Sequence, residues 1–167
     1  MDWTIIDAQR QHVSDIEAIN TKCYKYPIER RYLKECLSDE EYCMRVAVLN
    51  VQMPANPYVA TSSLVIGYYF ADISNLAGPI VRELAVDKNY RGMGVGSALL
   101  ADVKSHCGGR PWVEVTRDSV IEWLNKRGYH FWAKPKNGVV KYMYRLNEKV
   151  ESASIDRLLM EFGERKM

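Results

Sequence analysis

The sequence lacks the segments that direct a protein into or across a membrane. Its first 15 residues contain no basic stretch followed by an apolar core, which a secretory signal requires. No apolar run approaches the roughly 18 residues that a membrane-spanning helix needs. We therefore expect a cytoplasmic protein with no membrane partner.

The sequence also lacks an excess of charge of one sign. It has 23 Lys and Arg against 21 Asp and Glu, which gives a net charge of +2, and its basic residues are spread along the chain. Proteins that bind nucleic acids usually concentrate their basic residues in one patch. The composition therefore argues against a nucleic acid as partner, and the 47% of hydrophobic residues predict a soluble globular protein.

Cysteines and histidines are few and show no metal-binding spacing. A chain of 167 residues buries enough apolar surface to fold without disulfides, and no C-x-x-C pair occurs. No H-x-x-x-H pattern occurs either, and the adjacent His106 and Cys107 are interpreted as a helix end, so no metal is implied. We expect four reduced core cysteines: Cys23, Cys36, Cys43 and Cys107.

The sequence does contain alternating strand and helix patterns, which predict one α/β domain. Ser14 and Glu17 form a capping-box pattern for a first helix, and Pro27 suits the first turn of a second. Gly128 suits the end of a short helix at residues 120–127. A loop with two prolines is predicted at 52–61. Strands are predicted at 3–7, 42–51, 62–73, 112–115 and 139–146, and a further strand is predicted to end at residue 86.

The most informative segment is a glycine-rich turn between an apolar strand and an apolar helix. Three glycines at alternate positions let backbone N–H groups approach one anion, and the start of the helix adds free amides and the positive end of its dipole. An arginine adds a full charge. The segment therefore predicts a phosphate-binding turn, formed by Arg91, Gly92, Met93, Gly94, Val95, Gly96 and Ser97.

Two common phosphate-binding motifs do not fit this spacing. A Walker A loop ends in Gly-Lys-Ser/Thr, whereas Gly96 is followed by Ser97. A Rossmann turn places its first glycine directly after the strand, whereas residues 87–91 intervene here. The remaining pattern, R-x-x-G-x-G after a strand, resembles the acetyl-CoA signature of the GNAT superfamily of N-acetyltransferases. The alternative is an inert domain whose glycines serve a tight turn alone.

The resemblance covers roughly residues 3–147 and implies the GNAT fold. That fold is an α/β (α+β) arrangement, with a mixed, mostly antiparallel sheet flanked by helices and splayed at the acetyl-CoA cleft. The cleft would lie between the Leu84 strand and the Val113 strand. The resemblance also implies that the pantetheine arm of acetyl-CoA hydrogen-bonds to the backbone of Leu84, Ala85 and Val86, where one N–H group would face the thioester carbonyl.

The reaction that the resemblance implies is direct transfer of an acetyl group from acetyl-CoA to a primary amine, which needs a base and an acid. Glu83 precedes the pantetheine-binding stretch and is the first candidate for the base, acting through water. Glu114, on the other expected wall of the cleft, is the second candidate. The alternatives are a solvated ion pair for Glu83 and an orientation away from the cofactor for Glu114.

The proton donor is where the sequence departs from the resembled family. Many of its enzymes place a tyrosine four residues before the glycine of a Y-x-x-x-G-F/Y pattern, whereas this chain has Leu124 there. The asparagine usual just upstream is also missing. Tyr129, Tyr142 or Tyr144 would then have to reach the sulfur, or water serves, because a thiol of pKa about 8.5 leaves tolerably unaided. A protein that binds acetyl-CoA without turnover and regulates a partner remains the leading alternative.

The acceptor is indicated only by a local pattern. Residues 23–28, with two tyrosines and Pro27, are similar to the segment that lines the peptide entrance of protein N-terminal acetyltransferases. A turn whose tyrosines simply pack is the alternative. An α-amine, with a pKa of about 7.8, is also deprotonated far more easily than a lysine side chain. We therefore expect a peptide or protein α-amine, with a small-molecule amine as the alternative.

We expect the chain to have two parts. Residues 1–148 would form the acetyltransferase domain that the resemblance implies, and residues 149–167 would form an amphipathic helical extension. The extension carries an apolar stripe at helical spacing, with Ser154 as a candidate cap. The stripe is expected to dock on its own domain or on a second subunit of a homodimer, through Ile155, Leu158, Leu159 and Phe162.

Overall fold

The computed structural model describes residues 2–50, 64–136, 138 and 140–147. The loop expected at 52–61 and the extension expected at 149–167 lie outside these residues. The strands are β1 (Trp3–Asp7), β2 (Tyr42–Leu49), β3 (Leu64–Asp72), β4 (Ile80–Val86), β5 (Trp112–Val115), β6 (Tyr129–Ala133) and β7 (Tyr142–Leu146). The α-helices are α1 (Val13–Cys23), α2 (Arg30–Leu37), α3 (Val95–Cys107) and α4 (Ile121–Asn125).

The seven strands form one mixed sheet in the order β1-β2-β3-β4-β5-β7-β6. Neighbouring strands are antiparallel except for β4 and β5, which are parallel. A parallel pair needs a crossover connection, and α3 supplies it between β4 and β5. The expected mostly antiparallel sheet flanked by helices is thus confirmed.

The two strands of the parallel pair separate soon after they meet. They are in register only at Ile80 with Trp112 and at Val81 with Val113. Beyond these pairs, β4 continues to Val86, and none of the described residues forms a ladder with it on its β5 side. The sheet therefore opens into a cleft at the position that the family resemblance implies.

Helices cover both faces of the sheet. On one face, α3 packs Leu99 and Val103 into a cluster that includes Tyr69 of β3. On the other, α1 and α2 pack Ile16 and Leu33 into a cluster that includes Tyr68 of the same strand. Because β3 is covered on both faces, nearly all its residues are buried, as in the continuous apolar strands of α/β proteins.

The starts of the first two helices differ from the prediction. A 3-10 turn at Arg10–His12 leads directly into α1, and His12 already has helical dihedral angles, so Ser14 lies inside the helix and caps nothing. The helix α2 begins at Arg30, after an extended Glu29, so Pro27 is not in its first turn. The segment before α2 is tied instead to α1, whose Asn20 side chain accepts a hydrogen bond from the Ile28 N–H at 2.8 Å.

One strand was not predicted. Strand β6 is an edge strand whose Phe131 and Trp132 are 58% and 53% exposed, so it shows no alternation of buried and exposed residues. Of the final strand expected at 139–146, the structure gives β7 at Tyr142–Leu146, paired with β5 from Tyr142 to Arg145, while position 139 lies outside the described residues. The short helix before β6 ends at Asn125, two residues earlier than predicted, and a turn then leads to Gly128, which has the left-handed φ of 82° expected of it.

Two expectations about composition can be compared with the structure. All four cysteines are free thiols, with Cys23 and Cys36 buried and Cys43 and Cys107 half-buried. Within the described ranges, every helix is too short or too polar to cross a membrane.

Candidate active site

A cleft of about 740 Å³ opens where β4 and β5 separate. Its walls come from β4, β5, the glycine-rich turn, the start of α3, and α4, while Tyr24 closes it from the end of α1. Met93 is exposed and lies outside this lining. The remaining residues predicted to bind acetyl-CoA or to act as the base all line the cleft: Glu83, Leu84, Ala85, Val86, Arg91, Gly92, Gly94, Val95, Gly96, Ser97 and Glu114.

The glycine-rich turn forms an open cradle at the mouth of the cleft. Gly92 and Gly94 have φ angles of 76° and 83°, in the left-handed region that favours glycine. A Cβ atom at either position would project into open space. Gly94 is the N-cap of α3 and provides no side-chain cap, so the first N–H groups of the helix remain available to an anion. The backbone here fits a pyrophosphate group.

Gly96 and Ser97 have a different role, because they form the contacts between the start of α3 and the segment of α4. A Cβ atom at Gly96 would lie 3.4 Å from the Trp123 ring, so glycine lets this ring pack closely on α3. The Ser97 hydroxyl accepts hydrogen bonds from Arg127 Nε and Nη2, at 2.9 and 2.7 Å. The Arg127 guanidinium also lies 4.1 Å from the centre of the Trp123 ring. Arg127 thus places a cation beside the cradle. The sequence pattern did not identify this residue.

The arginine of the motif points back into the cleft. Arg91 Nε donates to the Val86 carbonyl at 3.1 Å, and Nη2 donates to the Cys23 sulfur at 3.4 Å. These contacts connect the glycine-rich turn to the end of β4 and to the end of α1. Arg91 therefore holds a positive charge at the junction of the cradle and the cleft.

The backbone of β4 presents alternate residues to the cleft. Leu84 and Val86 direct their carbonyl groups into it, where they meet Tyr24 and Arg91. The Ala85 carbonyl faces β3, at 3.0 Å from where a Cβ of Gly67 would lie. Successive residues of a strand point their polar groups to opposite sides, so Leu84 and Val86 are the residues placed to bind a ligand chain in the cleft.

Glu83 lies at the centre of a buried polar network made of neutral groups. Its Oε2 accepts hydrogen bonds from Tyr68 Oη at 2.8 Å and from Asn20 Nδ2 at 2.5 Å. Asn20 and Tyr68 are both fully buried. Burial raises the pKa of Glu83 to about 7, which the two hydrogen bonds oppose and the charge of Glu114 increases. Near pH 7, this carboxyl group can therefore both take up and release a proton.

Glu114 has a different environment on the opposite wall. It forms an ion pair with Arg82 Nη1, while Arg82 Nη2 contacts Asp72 Oδ2 at 2.9 Å. Burial raises the pKa of Glu114, and the charge and hydrogen bond of Arg82 oppose that effect. This carboxylate lines the cleft as predicted, but a cation already engages it.

The tyrosines proposed as proton donors lie elsewhere. Tyr129 and Tyr144 are buried in the cluster around α3, and Tyr142 packs against Phe131 of the edge strand. None of the three lines the cleft that the described residues form, whereas Leu124 does and is 1% exposed. The tyrosines that do line it are Tyr24 and Tyr90.

Comparisons with known proteins agree with this geometry. The model of the acetyltransferase (GNAT) family matches residues 14–134. No curated protein sequence matches the chain. Among solved structures, Ard1 from Thermoplasma volcanium has a TM-score of 0.67 and 19% identity, covering 87% of this chain and 95% of that one.

Two further solved structures share the fold. The ribosomal-protein-S18-alanine N-acetyltransferase from Escherichia coli has a TM-score of 0.65 and 14% identity, covering 90% of this chain and 98% of that one. N-acetylglutamate synthase from Neisseria gonorrhoeae, complexed with coenzyme A and N-acetyl-glutamate, has a TM-score of 0.67 and 16% identity, covering 89% of this chain and 36% of that one. These identities establish a common fold and leave the acceptor open.

Proposed function

The chain belongs to the acetyltransferase (GNAT) family, and from this premise we propose that it transfers the acetyl group of acetyl-CoA to the α-amine of a peptide or protein. The observation that carries the proposal is Glu83, a carboxyl group with a pKa raised to about 7 on the wall of the cleft. A base is most effective when its pKa lies near the working pH.

The chain's own groups fit acetyl-CoA. Its pyrophosphate suits three features of the chain: the cradle at Gly92 and Gly94, the free N–H groups of α3 and the charge of Arg91. Leu84 and Val86 suit the pantetheine arm through their backbone groups, whereas Ala85, the third residue expected to bind it, directs its carbonyl towards β3. When bound, acetyl-CoA supplies the activated acyl group, and the protein supplies position and proton transfer.

In this proposal, Glu83 accepts the proton that the acceptor amine loses, directly or through one water molecule. Tyr68 and Asn20 hold its Oε2 by hydrogen bonds and so fix its direction. Glu114 remains the second candidate for the base. Its ion pair with Arg82 favours the charged form and occupies one oxygen, which makes it the weaker candidate.

The strength of the base supports an α-amine over a lysine side chain. At pH 7, an α-amine of pKa about 7.8 is roughly 14% deprotonated, whereas a lysine of pKa about 10.4 is about 0.04% deprotonated. The difference corresponds to roughly 3.5 kcal/mol that a base would have to supply. A carboxylate with a pKa of about 7 is poorly suited to that larger task.

Matched peptides test the proposal. One has a free N-terminus and no lysine, and the other has a blocked N-terminus and one lysine; CoA release and peptide mass are followed at pH 7. We expect acetylation of the first peptide only. Gly94→Asp, which puts a side chain and a negative charge into the cradle, serves as the control without donor binding. Faster acetylation of the blocked lysine peptide would contradict the proposed acceptor.

The same assay, extended to free amino acids and polyamines and combined with thermal denaturation, separates two alternatives. A small-molecule amine is favoured by the common fold with N-acetylglutamate synthase, and it predicts turnover of free amino acids or polyamines with neither peptide modified. A protein that binds acetyl-CoA without turnover is favoured by Leu124 in place of the usual tyrosine. It predicts thermal stabilisation by acetyl-CoA, about 2.7 kcal/mol at 100 times Kd, with no CoA released from any acceptor.

A further inference from the structure

The cleft has a base at Glu83, but its most expected proton donor is absent. Leu124 occupies the position from which a tyrosine serves in related sequences, and its side chain has no proton to give. Of the described residues that line the cleft, Tyr24 and Tyr90 carry phenol groups. Only one of these two phenol groups contacts the backbone of β4 between the base and the cradle.

That phenol is Tyr24. Its hydroxyl oxygen lies 3.0 Å from the Leu84 nitrogen and 3.0 Å from the Leu84 carbonyl oxygen. It accepts a hydrogen bond from the N–H and donates one to the C=O. These are the two groups through which β4 presents Leu84 to the cleft. A ligand that binds this stretch of β4 must therefore meet the Tyr24 hydroxyl.

The position of Tyr24 is determined by the end of α1. The helix ends at Cys23, and Tyr24 is extended, with φ −118° and ψ 139°. Its backbone N–H still donates to the Asn20 carbonyl at 2.9 Å. Asn20 is the residue whose side chain binds Glu83. One short segment thus positions both the base and the Tyr24 phenol.

Tyr24 keeps its proton under working conditions. Burial and then the negative charge of Glu83 raise the pKa of Tyr24 well above its usual range. A group that remains protonated beside a basic carboxylate can act as a donor to a leaving group that becomes negative. The two groups therefore divide the roles of acid and base between them.

We infer that the Tyr24 hydroxyl is the proton donor for the leaving sulfur of acetyl-CoA, the role left vacant by Leu124. The inference rests on the proposed acetyl transfer. As the C–S bond breaks, its electron pair stays on the sulfur, the Tyr24 O–H bond breaks and an S–H bond forms. The phenolate then regains a proton equivalent to the one that Glu83 removed from the amine, so the cycle closes without another reactant.

The first test separates chemistry from binding. Tyr24→Phe keeps the ring and removes the hydroxyl, and we expect kcat to fall about 10²-fold. Calorimetry should find the Kd for acetyl-CoA unchanged or lower, because Leu84 loses a competing partner. Tyr32→Phe, a half-exposed phenol on α2, is the matched control and should keep wild-type turnover. A kcat within threefold of wild type, or a Kd raised more than fivefold with kcat retained, would overturn the inference.

The second test asks which atom receives the proton. In a donor with selenium in place of the thioester sulfur, the leaving selenol is a stronger acid and departs without protonation. The loss caused by Tyr24→Phe should then shrink at least tenfold. An equal loss with both donors would mean that the hydroxyl stabilises the carbonyl oxygen, and would overturn the assignment. If the wild-type protein acetylates no acceptor, the proposed function itself fails; if it does and Tyr24→Phe is unimpaired, only this inference fails.

Discussion

Glu83 and Glu114 are glutamates on opposite walls of one cleft, and burial raises the pKa of both carboxyl groups. They differ in their partners. Glu83 is held by two neutral donors, Tyr68 and Asn20, whereas Glu114 is paired with the cation Arg82. Neutral donors orient a carboxylate and leave it free to accept a proton, while a cation stabilises its charge. The charge of the partner, more than burial, therefore separates the candidate base from a structural ion pair.

The largest expected effect is on turnover. Glu83→Gln keeps the shape of the side chain and removes the base, so kcat should fall on the order of 10²-fold or more with little change in acetyl-CoA affinity. Steady-state kinetics and calorimetry measure the two quantities. Glu114→Gln is the matched change on the opposite wall, and it should lower kcat less than tenfold. The reverse order of the two effects would move the base to Glu114.

The next effect is on stability, and it has the opposite sign to the effect on turnover. The pKa of Glu83 is 4.5 as a reference and about 7 in the folded protein, so the folded state holds this proton more tightly. Between these values, the free energy of unfolding decreases as pH rises. Glu83→Gln should therefore be more stable than wild type at pH 8, by up to about 3 kcal/mol.

Chemical denaturation at several pH values measures this difference. The advantage of Glu83→Gln should shrink as pH falls from about 7 and vanish below about pH 4.5, where the wild-type carboxyl becomes protonated in the unfolded state as well as in the folded state. A constant difference across this range would mean that Glu83 is not the group with the raised pKa. A residue that is costly to the fold and needed for turnover is what a functional role predicts.

On the opposite wall, the cation is expected to matter for stability. Arg82→Met leaves Glu114 and Asp72 without their common partner. A buried pair broken in this way loses about 3–5 kcal/mol, but Arg82 is 38% exposed, so we expect about 1–2 kcal/mol. Arg82 and Ser74 lower the pKa of Asp72 against the effect of burial, so the loss should diminish below about pH 4.

The matched control for this change is Arg31→Met. Arg31 pairs with Glu35 on the surface of α2, and the two side chains are 88% and 58% exposed. An exposed pair of this kind contributes little, so the melting temperature should not change measurably. Equal losses for the two arginine variants would remove the distinction between the wall of the cleft and an ordinary surface pair.

The smallest expected effect is a shift in the pH dependence of turnover. The wild-type kcat/KM should rise through a pH of about 7 as Glu83 loses its proton. The Tyr68 hydrogen bond favours the charged form of Glu83, so Tyr68→Phe should move this midpoint upward by about half a unit to one unit. Tyr69→Phe removes a buried hydroxyl on the opposite face and should leave the midpoint in place. A downward shift in Tyr68→Phe would contradict the network.

The sequence predicted those parts of the molecule that depend on local chemistry. The glycine-rich turn and the strand before it follow from spacing along about twenty residues around Gly94, and the family resemblance carried by that turn implied the position of the cleft. The family resemblance identified Glu83 because it directly precedes, in that strand, the stretch expected to bind pantetheine. Strand β6 was missed because exposed Phe131 and Trp132 hide its alternation. The capping prediction failed at Ser14 because a 3-10 turn begins the helix earlier.

The residues that contact Glu83 and Leu84 in the cleft could not be predicted from local sequence. Asn20 meets Glu83 across 63 positions of the chain, and Tyr24 meets Leu84 across 60. Both contacts depend on how α1 crosses the sheet, and no local pattern specifies that crossing. Asn20 and Tyr68 look like ordinary helix and strand residues until the fold places them together. Asn20 and Tyr68 become recognisable only as the hydrogen-bond donors that a buried Glu83 carboxylate requires. The burial of Glu83 is a property of the tertiary structure and cannot be read from the local sequence.

The separation of β4 from β5 has a further consequence for what the protein admits. The free stretch of β4 is a sheet edge, and exposed sheet edges attract strands of other chains and promote aggregation. Here the edge lies inside a narrowing gap between two walls, pinned where Ile80 and Val81 meet β5. The Tyr24 hydroxyl occupies both backbone groups of Leu84, and Arg91 occupies the Val86 carbonyl, so these two side chains cover the edge against pairing with another polypeptide.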